Sequence, residues 1–129
     1  MRKRILVVDD SETVVAVARD VLERAGFDVV TALDAYEADQ YIFCQDKPDL
    51  IVLDIMLPGL EGHTKAKALK ANELARNIPI LLLSSKPEEH VRRMVNESGA
   101  DGYLRKPFTD QEIVAKIKEK LLEKLSLTK

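Results

Sequence analysis

Short apolar runs alternate with amphipathic stretches along the whole chain. Ile5-Leu6-Val7-Val8, Leu50-Ile51-Val52-Leu53 and Ile78-Pro79-Ile80-Leu81-Leu82-Leu83 are almost unbroken hydrophobic segments, the pattern of strands buried on both faces of a parallel sheet. Asp28 to Ala32 and Asp101 to Arg105 read as two shorter strands. Val14, Val17, Ala18, Val21, Leu22 and Ala25 recur at helical spacing after Asp10 or Ser11 as cap, with Glu12 in the first turn and Gly26 beyond the end. Asp34 predicts the start of a second helix running to about Gln45, with Ala38, Tyr41 and Ile42 on its inner face. A lysine-rich third helix is expected from Gly62 to Leu74, and a fourth from Pro87 to Ser98, before Gly99. A fifth starts at Thr109 or Asp110, with Ile113, Val114, Ile117, Leu121 and Leu122 facing inward. Pro79 implies that the start of its strand lacks a ladder donor.

Strand and helix in strict alternation predict an α/β fold with a parallel sheet covered on both faces and right-handed crossovers. The natural architecture is a flavodoxin-like, doubly wound (βα)5 domain with strand order 2-1-3-4-5. With no internal repeat and no low-complexity linker, one domain is expected over residues 1–129, its core at about 4–125.

At 129 residues, 46% hydrophobic and 33% charged, the chain suits one globular domain rather than a disordered segment. A net charge of −2 and a pI near 5.7 supply no electrostatic reason for direct nucleic-acid binding. No apolar run approaches the ~18 residues needed to span a membrane. Met1-Arg2-Lys3-Arg4 has the charge of a signal-peptide n-region, but only Ile5 to Val8 follow it before two aspartates. The lone Cys44 cannot form an internal disulfide, so a reducing, cytoplasmic setting is expected.

Four of the five expected strands end in a functional group: Asp9 and Asp10, Asp54, Ser84, and Lys106. In a parallel sheet these ends converge on one rim, where open α/β folds bind their ligands. Crowded carboxylates repel, and a hard divalent cation such as Mg²⁺ (or Mn²⁺) relieves that repulsion using oxygen ligands. An ammonium and a hydroxyl alongside are donors suited to phosphoryl oxygens. An acidic nucleophile, a metal and a lysine together describe phosphoryl transfer to a carboxylate.

The stretches ILVVDDS (5–11), DLIVLDIMLPGLEG (49–62), IPILLLSS (78–85) and GADGYLRKPF (99–108), in this order and spacing, resemble the receiver domain of two-component response regulators. The resemblance covers essentially the whole chain. It implies that Asp54 is the phosphoacceptor, taking its phosphoryl group from a phosphohistidine of a sensor histidine kinase or phosphotransfer protein, or from a small acyl phosphate. It implies further that Asp9 and Asp10 hold the metal, Asp10 more directly, together with Asp54 and the backbone carbonyl of Met56. Ser84 and Lys106 match the hydroxyl and lysine of that site, and Tyr103 the aromatic switch drawn inward with Ser84. The bond before Pro107 is expected to be cis. The surface of the fourth helix, fifth strand and fifth helix matches the family's output face, for a downstream protein the sequence does not name. Such a protein is a switch with self-phosphorylation and autodephosphorylation chemistry, not a turnover enzyme, and is a monomer or a phosphorylation-dependent dimer with no membrane contact. It is either a stand-alone receiver or part of a longer regulator. Small departures are Ser84 where Thr is commoner, and Glu61, expected to face solvent. Met56 and Lys86 occupy variable positions that tune the lifetime of the phosphoryl group.

Each feature has a plainer reading. Asp9-Asp10 alone would be a helix cap, Lys106-Pro107 a turn, and Ser84 a locally bonded strand end. Asp54 resists this, because an acid ending a buried strand is costly unless paired or ligated. His63 and His90 are expected to be isolated and exposed, and Cys44 partly buried packing. Lys116, Lys118, Lys120 and Lys124 are expected to form a solvated face of the last helix. Of the competing functions, a phosphorylation-independent interaction module is disfavoured because every polar site position is filled. A haloacid-dehalogenase-type phosphohydrolase would place its nucleophile after the first strand in a D-x-D pattern with a cap domain. A flavodoxin would need a phosphate loop where Asp9-Asp10 would repel the anion.

Overall fold

The computed structural model of the chain describes residues 2–127, with side chains through residue 125. Five strands and five helices alternate: β1 Arg4–Val8, α1 Glu12–Arg24, β2 Asp28–Ala32, α2 Ala35–Ile42, β3 Leu50–Asp54, α3 Gly62–Lys70, β4 Ile80–Ser84, α4 Glu88–Ser98, β5 Gly102–Arg105 and α5 Asp110–Leu127. All strand pairs are parallel, in the order β2-β1-β3-β4-β5, as the alternation predicts.

The unbroken apolar runs follow from burial on both faces. Successive side chains of a strand point to opposite sides. Leu6, Val8, Ile51, Leu53, Ile80 and Leu82 therefore pack against Ala38 and Ile42 of α2, Ala66 and Leu69 of α3, and Val91 of α4. Their neighbours Ile5, Val7, Leu50, Val52, Leu81 and Leu83 pack against Val15, Ala18, Val21 and Leu22 of α1 and Ile113 and Ile117 of α5. Each such side chain contributes about 1.5–3 kcal/mol by leaving water, and truncating one to Ala costs about 2–5 kcal/mol.

The starts of α1, α2 and α5 are held by side-chain bonds. The hydroxyl of Ser11 accepts from the Val14 N–H. Asp34 accepts from the Glu37 N–H at 2.7 Å while Glu37 accepts from the Leu33 N–H. Thr109 and Glu112 cap one another reciprocally at 3.1 and 2.9 Å. Gly99 ends α4 at φ 79°, where a side chain would be strained.

Several boundaries differ from the expectation. α2 stops at Ile42 rather than Gln45; the chain turns, and the half-buried Cys44 donates its Sγ–H to the Tyr41 carbonyl at 3.1 Å. α3 stops at Lys70 instead of Leu74, because the Asn72 side chain captures the Leu74 N–H at 2.8 Å and turns the backbone out of the helix. β4 begins at Ile80, after Pro79, whose carbonyl accepts from Ile51. Pro87 is the N-cap of α4 rather than part of its first turn. Leu122 is not on the inner stripe of α5: it is 64% exposed, and the buried positions are Ile113 and Ile117. Nor is Lys120 on a solvated face; its stem lies over Gly102 of β5, and its ammonium pairs with Glu123 at 3.0 Å. Among the described residues no helix is long and apolar enough to cross a membrane.

Candidate functional site

The carboxyl ends of β1, β3, β4 and β5 carry the site. Asp9 follows β1, is fully buried, and donates its N–H to the Ala32 carbonyl at 3.1 Å. Asp54 is the last residue of β3 and 3% exposed; Ser84 ends β4 and is fully buried. Lys106 follows β5 and is tied to β4 by its N–H to the Ser84 carbonyl at 2.8 Å, and the Lys106–Pro107 bond is cis, as expected. Parallel register therefore delivers four residues, distant in sequence, to one rim.

The Lys106 ammonium lies between two carboxylates, 2.7 Å from Asp9 Oδ2 and 3.2 Å from Asp54 Oδ2. The other oxygen of each acid is held by a backbone amide: Asp9 Oδ1 accepts from Ser11 at 2.9 Å, and Asp54 Oδ1 from Met56 at 3.2 Å. Asp10 is exposed, yet one oxygen from each of Asp9, Asp10 and Asp54 lies within 4.8 Å of the others. Ser84 Oγ accepts from the Lys86 N–H at 2.9 Å, which leaves its own proton free to donate.

Burial, and after it the charge of Asp9, pushes the Asp54 pKa up; the Met56 amide and Lys106 oppose this without prevailing. Burial alone would lower the Lys106 pKa, but its hydrogen bond to Asp9 and the charges of Asp54 and Asp9 outweigh burial and raise it. The two shifts agree physically: one cation does not neutralise two acids, so Asp54 resists ionising while Lys106 keeps its proton. An oxygen-rich cluster with more negative charge than its lysine balances fits a hard divalent cation.

The loop from Asp54 to α3 depends on Gly62. Its N–H donates to the Ile55 carbonyl at 2.8 Å, and a Cβ there would lie 1.9 Å from the Asp54 carbonyl oxygen. Met56 is exposed, and Glu61 faces solvent as expected. His63 departs from the expectation of exposure: it is half-buried, with Nε2 3.4 Å from Glu61 and a buried Nδ1 lacking a partner among the described residues. His90 is likewise half-buried.

Tyr103 is the expected site residue that the structure keeps away from the acidic cluster. Its hydroxyl donates to Glu88 Oε1 on α4 at 2.5 Å and accepts from Arg92 Nε at 3.2 Å. The bond from Tyr103, followed by those from Arg92, holds the Glu88 carboxyl below the usual range. Sequence reasoning missed Glu88 and Arg92; the only signal was their spacing of four on a helix, which by itself describes a surface pair. It also missed Lys65, buried on α3 and paired with Asp39 of α2. A groove of about 650 Å³ between Arg2, Lys3, Phe27, Lys118 and Leu122 lies at the opposite end of the sheet and includes none of the site residues.

The response regulator receiver domain family matches residues 5–118. The chain is 47% identical over 118 residues to the alkaline phosphatase synthesis transcriptional regulatory protein PhoP of Bacillus subtilis (strain 168), covering 92% of this chain and 48% of that protein. The chain spans about half the length of several curated relatives that it matches. Chemotaxis protein CheY4 of Vibrio cholerae superimposes with a TM-score of 0.85 at 26% identity, covering 93% of this chain and 99% of that one. The receiver domain of sensor histidine kinase PA1611 from Pseudomonas aeruginosa PAO1, solved with magnesium coordinated in its active-site cleft, superimposes at 0.84 and 26% identity, covering 94% and 98%. Strand order, the acidic rim and a family match over most of its length lead to one conclusion: this chain belongs to the response regulator receiver domain family of two-component signal transduction.

Proposed function

We propose that Asp54 accepts a phosphoryl group and that the chain relays the event through protein contacts. The observation that carries this reading is a buried carboxylate at the end of β3 with an ammonium 3.2 Å away and two further acids around it. In the transfer, a carboxylate oxygen of Asp54 attacks phosphorus. The P–N bond to a donor histidine of a sensor kinase or phosphotransfer protein breaks, or the P–O bond of an acyl phosphate, and the donor leaves with the bonding pair. Lys106 donates to a phosphoryl oxygen, releasing part of its contact with Asp9, and the free proton of Ser84 Oγ donates to another. Asp9, Asp10, Asp54 and the Met56 carbonyl would hold Mg²⁺ (or Mn²⁺), which supplies neutralisation of the charge gathered on the transferring group. Support comes from the acidic cluster itself and from the magnesium in the cleft of the PA1611 receiver.

On this reading the chain is a switch rather than a turnover enzyme. Its outputs are protein contacts through the α4-β5-α5 face, as a monomer or a phosphorylation-dependent dimer. A net charge of −2 favours protein over nucleic acid as the direct partner, and the unpaired Cys44 suits the cytoplasm. The test is incubation with Mg²⁺ and acetyl phosphate followed by intact-mass spectrometry. A single phosphoryl adduct that needs Mg²⁺ and is lost in Asp54→Ala supports the reading; an adduct that persists in that variant overturns the assignment of Asp54.

A further inference from the structure

The phenol of Tyr103 is tied to α4 through its hydroxyl. Tyr103 stands opposite Leu82 in the β4–β5 register, and its hydroxyl reaches across to α4, donating to Glu88 Oε1 at 2.5 Å while accepting from Arg92 Nε at 3.2 Å. Arg92 Nη2 closes the triangle on the same Glu88 oxygen at 3.0 Å. Without the tyrosine, Glu88 and Arg92 would be an ordinary pair one turn apart on an exposed helix, and such pairs contribute little. The third member changes this, because it lies on another element and joins α4 to β5.

We propose that Glu88 and Arg92 are positioning residues that latch the half-buried Tyr103 to α4 by its hydroxyl and oppose its inward turn, a proposal that rests on the switch reading of Ser84 and Tyr103 above. To turn inward, Tyr103 must give up a bond to an ionised carboxylate and another from a guanidinium, both stronger than bonds between neutral groups. Glu88 stays ionised through several neighbours: it lies in the first turn of α4, where the helix dipole favours an anion, and the positive charges of Arg92 and Arg105 face it. Arg105 is itself anchored, its Nε donating to the Lys86 carbonyl at 3.1 Å. The latch therefore sets the resting balance between latched and inward Tyr103, and hence how readily the site is occupied. It also lies on the face assigned to output. A partner that engages Glu88 or Arg92 competes with the latch, and by linkage it strengthens phosphoryl retention by the same factor that phosphorylation strengthens its own binding.

The experiment is a beryllofluoride titration at fixed Mg²⁺, followed by aromatic-ring NMR of Tyr103, on wild type, Glu88→Gln and Arg92→Ala, each repeated in a Tyr103→Phe background. With the latch, each single variant tightens beryllofluoride binding about three- to tenfold, the scale of one or two exposed hydrogen bonds. The free-state Tyr103 resonance also moves toward its bound position. In the Tyr103→Phe background, which lacks the hydroxyl, the tightening vanishes. An equal tightening in that background would show that the substitutions act through α4 itself and would overturn the latch, as would no change in either background. A wild-type protein that binds beryllofluoride with Tyr103 unmoved would sink the switch reading, and the latch with it.

Discussion

Lys106 lies closer to Asp9 than to the proposed phosphoacceptor: its ammonium is 2.7 Å from Asp9 Oδ2 and 3.2 Å from Asp54 Oδ2. Asp9 thus competes with Asp54 for the one cation among the described residues that bridges them. It also raises the Asp54 pKa by repulsion, second only to burial. Replacing Asp9 by Asn should remove that repulsion and hand Lys106 to Asp54, while deleting a metal ligand. Calorimetric titration should show Mg²⁺ affinity falling at least about tenfold, the loss typical even of outer-shell partners. Unchanged affinity would remove Asp9 from the metal site.

The raised pKa of Asp54 has a consequence for stability. A group whose folded pKa lies above its unfolded value favours folding below the unfolded pKa, and that contribution is lost as pH rises through the folded pKa. Without metal, the ionised form of Asp54 is therefore the one that the fold disfavours. Asp54→Asn, which imitates the neutral form, should melt at a higher temperature than wild type at pH 7 in EDTA. The gap should close as pH is lowered through the range where Asp54 protonates. Identical melting at both pH values would contradict this account.

Gly62 has no room for a side chain. Since a Cβ would lie 1.9 Å from the Asp54 carbonyl oxygen, Gly62→Ala must displace backbone, either the start of α3 or Asp54 itself. A cost of at least about 1–3 kcal/mol in urea unfolding is expected, the range of overpacked sites. Slower phosphorylation by acetyl phosphate should accompany it. Full stability with full rate would mean the loop has slack that the close approach conceals.

The ion pair between Lys65 of α3 and Asp39 of α2 tests a different balance. Lys65 is buried while Asp39 is partly exposed, so removing the acid strands an ammonium inside, whereas removing the lysine frees an acid into water. Asp39→Ala should therefore destabilise by about 1–3 kcal/mol, and Lys65→Met by less, with the double variant recovering most of the loss. Additive losses in the double-variant cycle would show that the two residues act independently.

Much of this protein was legible in its residues because the signals are local. Unbroken runs such as Ile5 to Val8 and Leu50 to Leu53 announce strands buried on both sides, and alternation with helices then admits few topologies. Parallel strands carry their ends to one rim. Asp9, Asp54, Ser84 and Lys106 could therefore be brought together on paper, and the structure brings them together.

What the chain alone did not reveal depends on neighbours supplied by other elements. The end of α3 was decided by an Asn72 side chain competing for the Leu74 amide, and the exposure of Leu122 by the rotation of α5, which turns Ile113, Ile117 and Leu121 to the core instead. Lys65 reads as one more surface lysine until α2 presents Asp39, and Gly62 as one more turn glycine until its Cα meets Asp54. Glu88 and Arg92 look like a solvated helix pair until Tyr103 arrives from β5. Periodicity and strand-end chemistry are properties of contiguous sequence, so they determined the fold and the acidic rim. Pairings between side chains far apart along the chain exist only once the elements are packed, and these the tertiary structure decided.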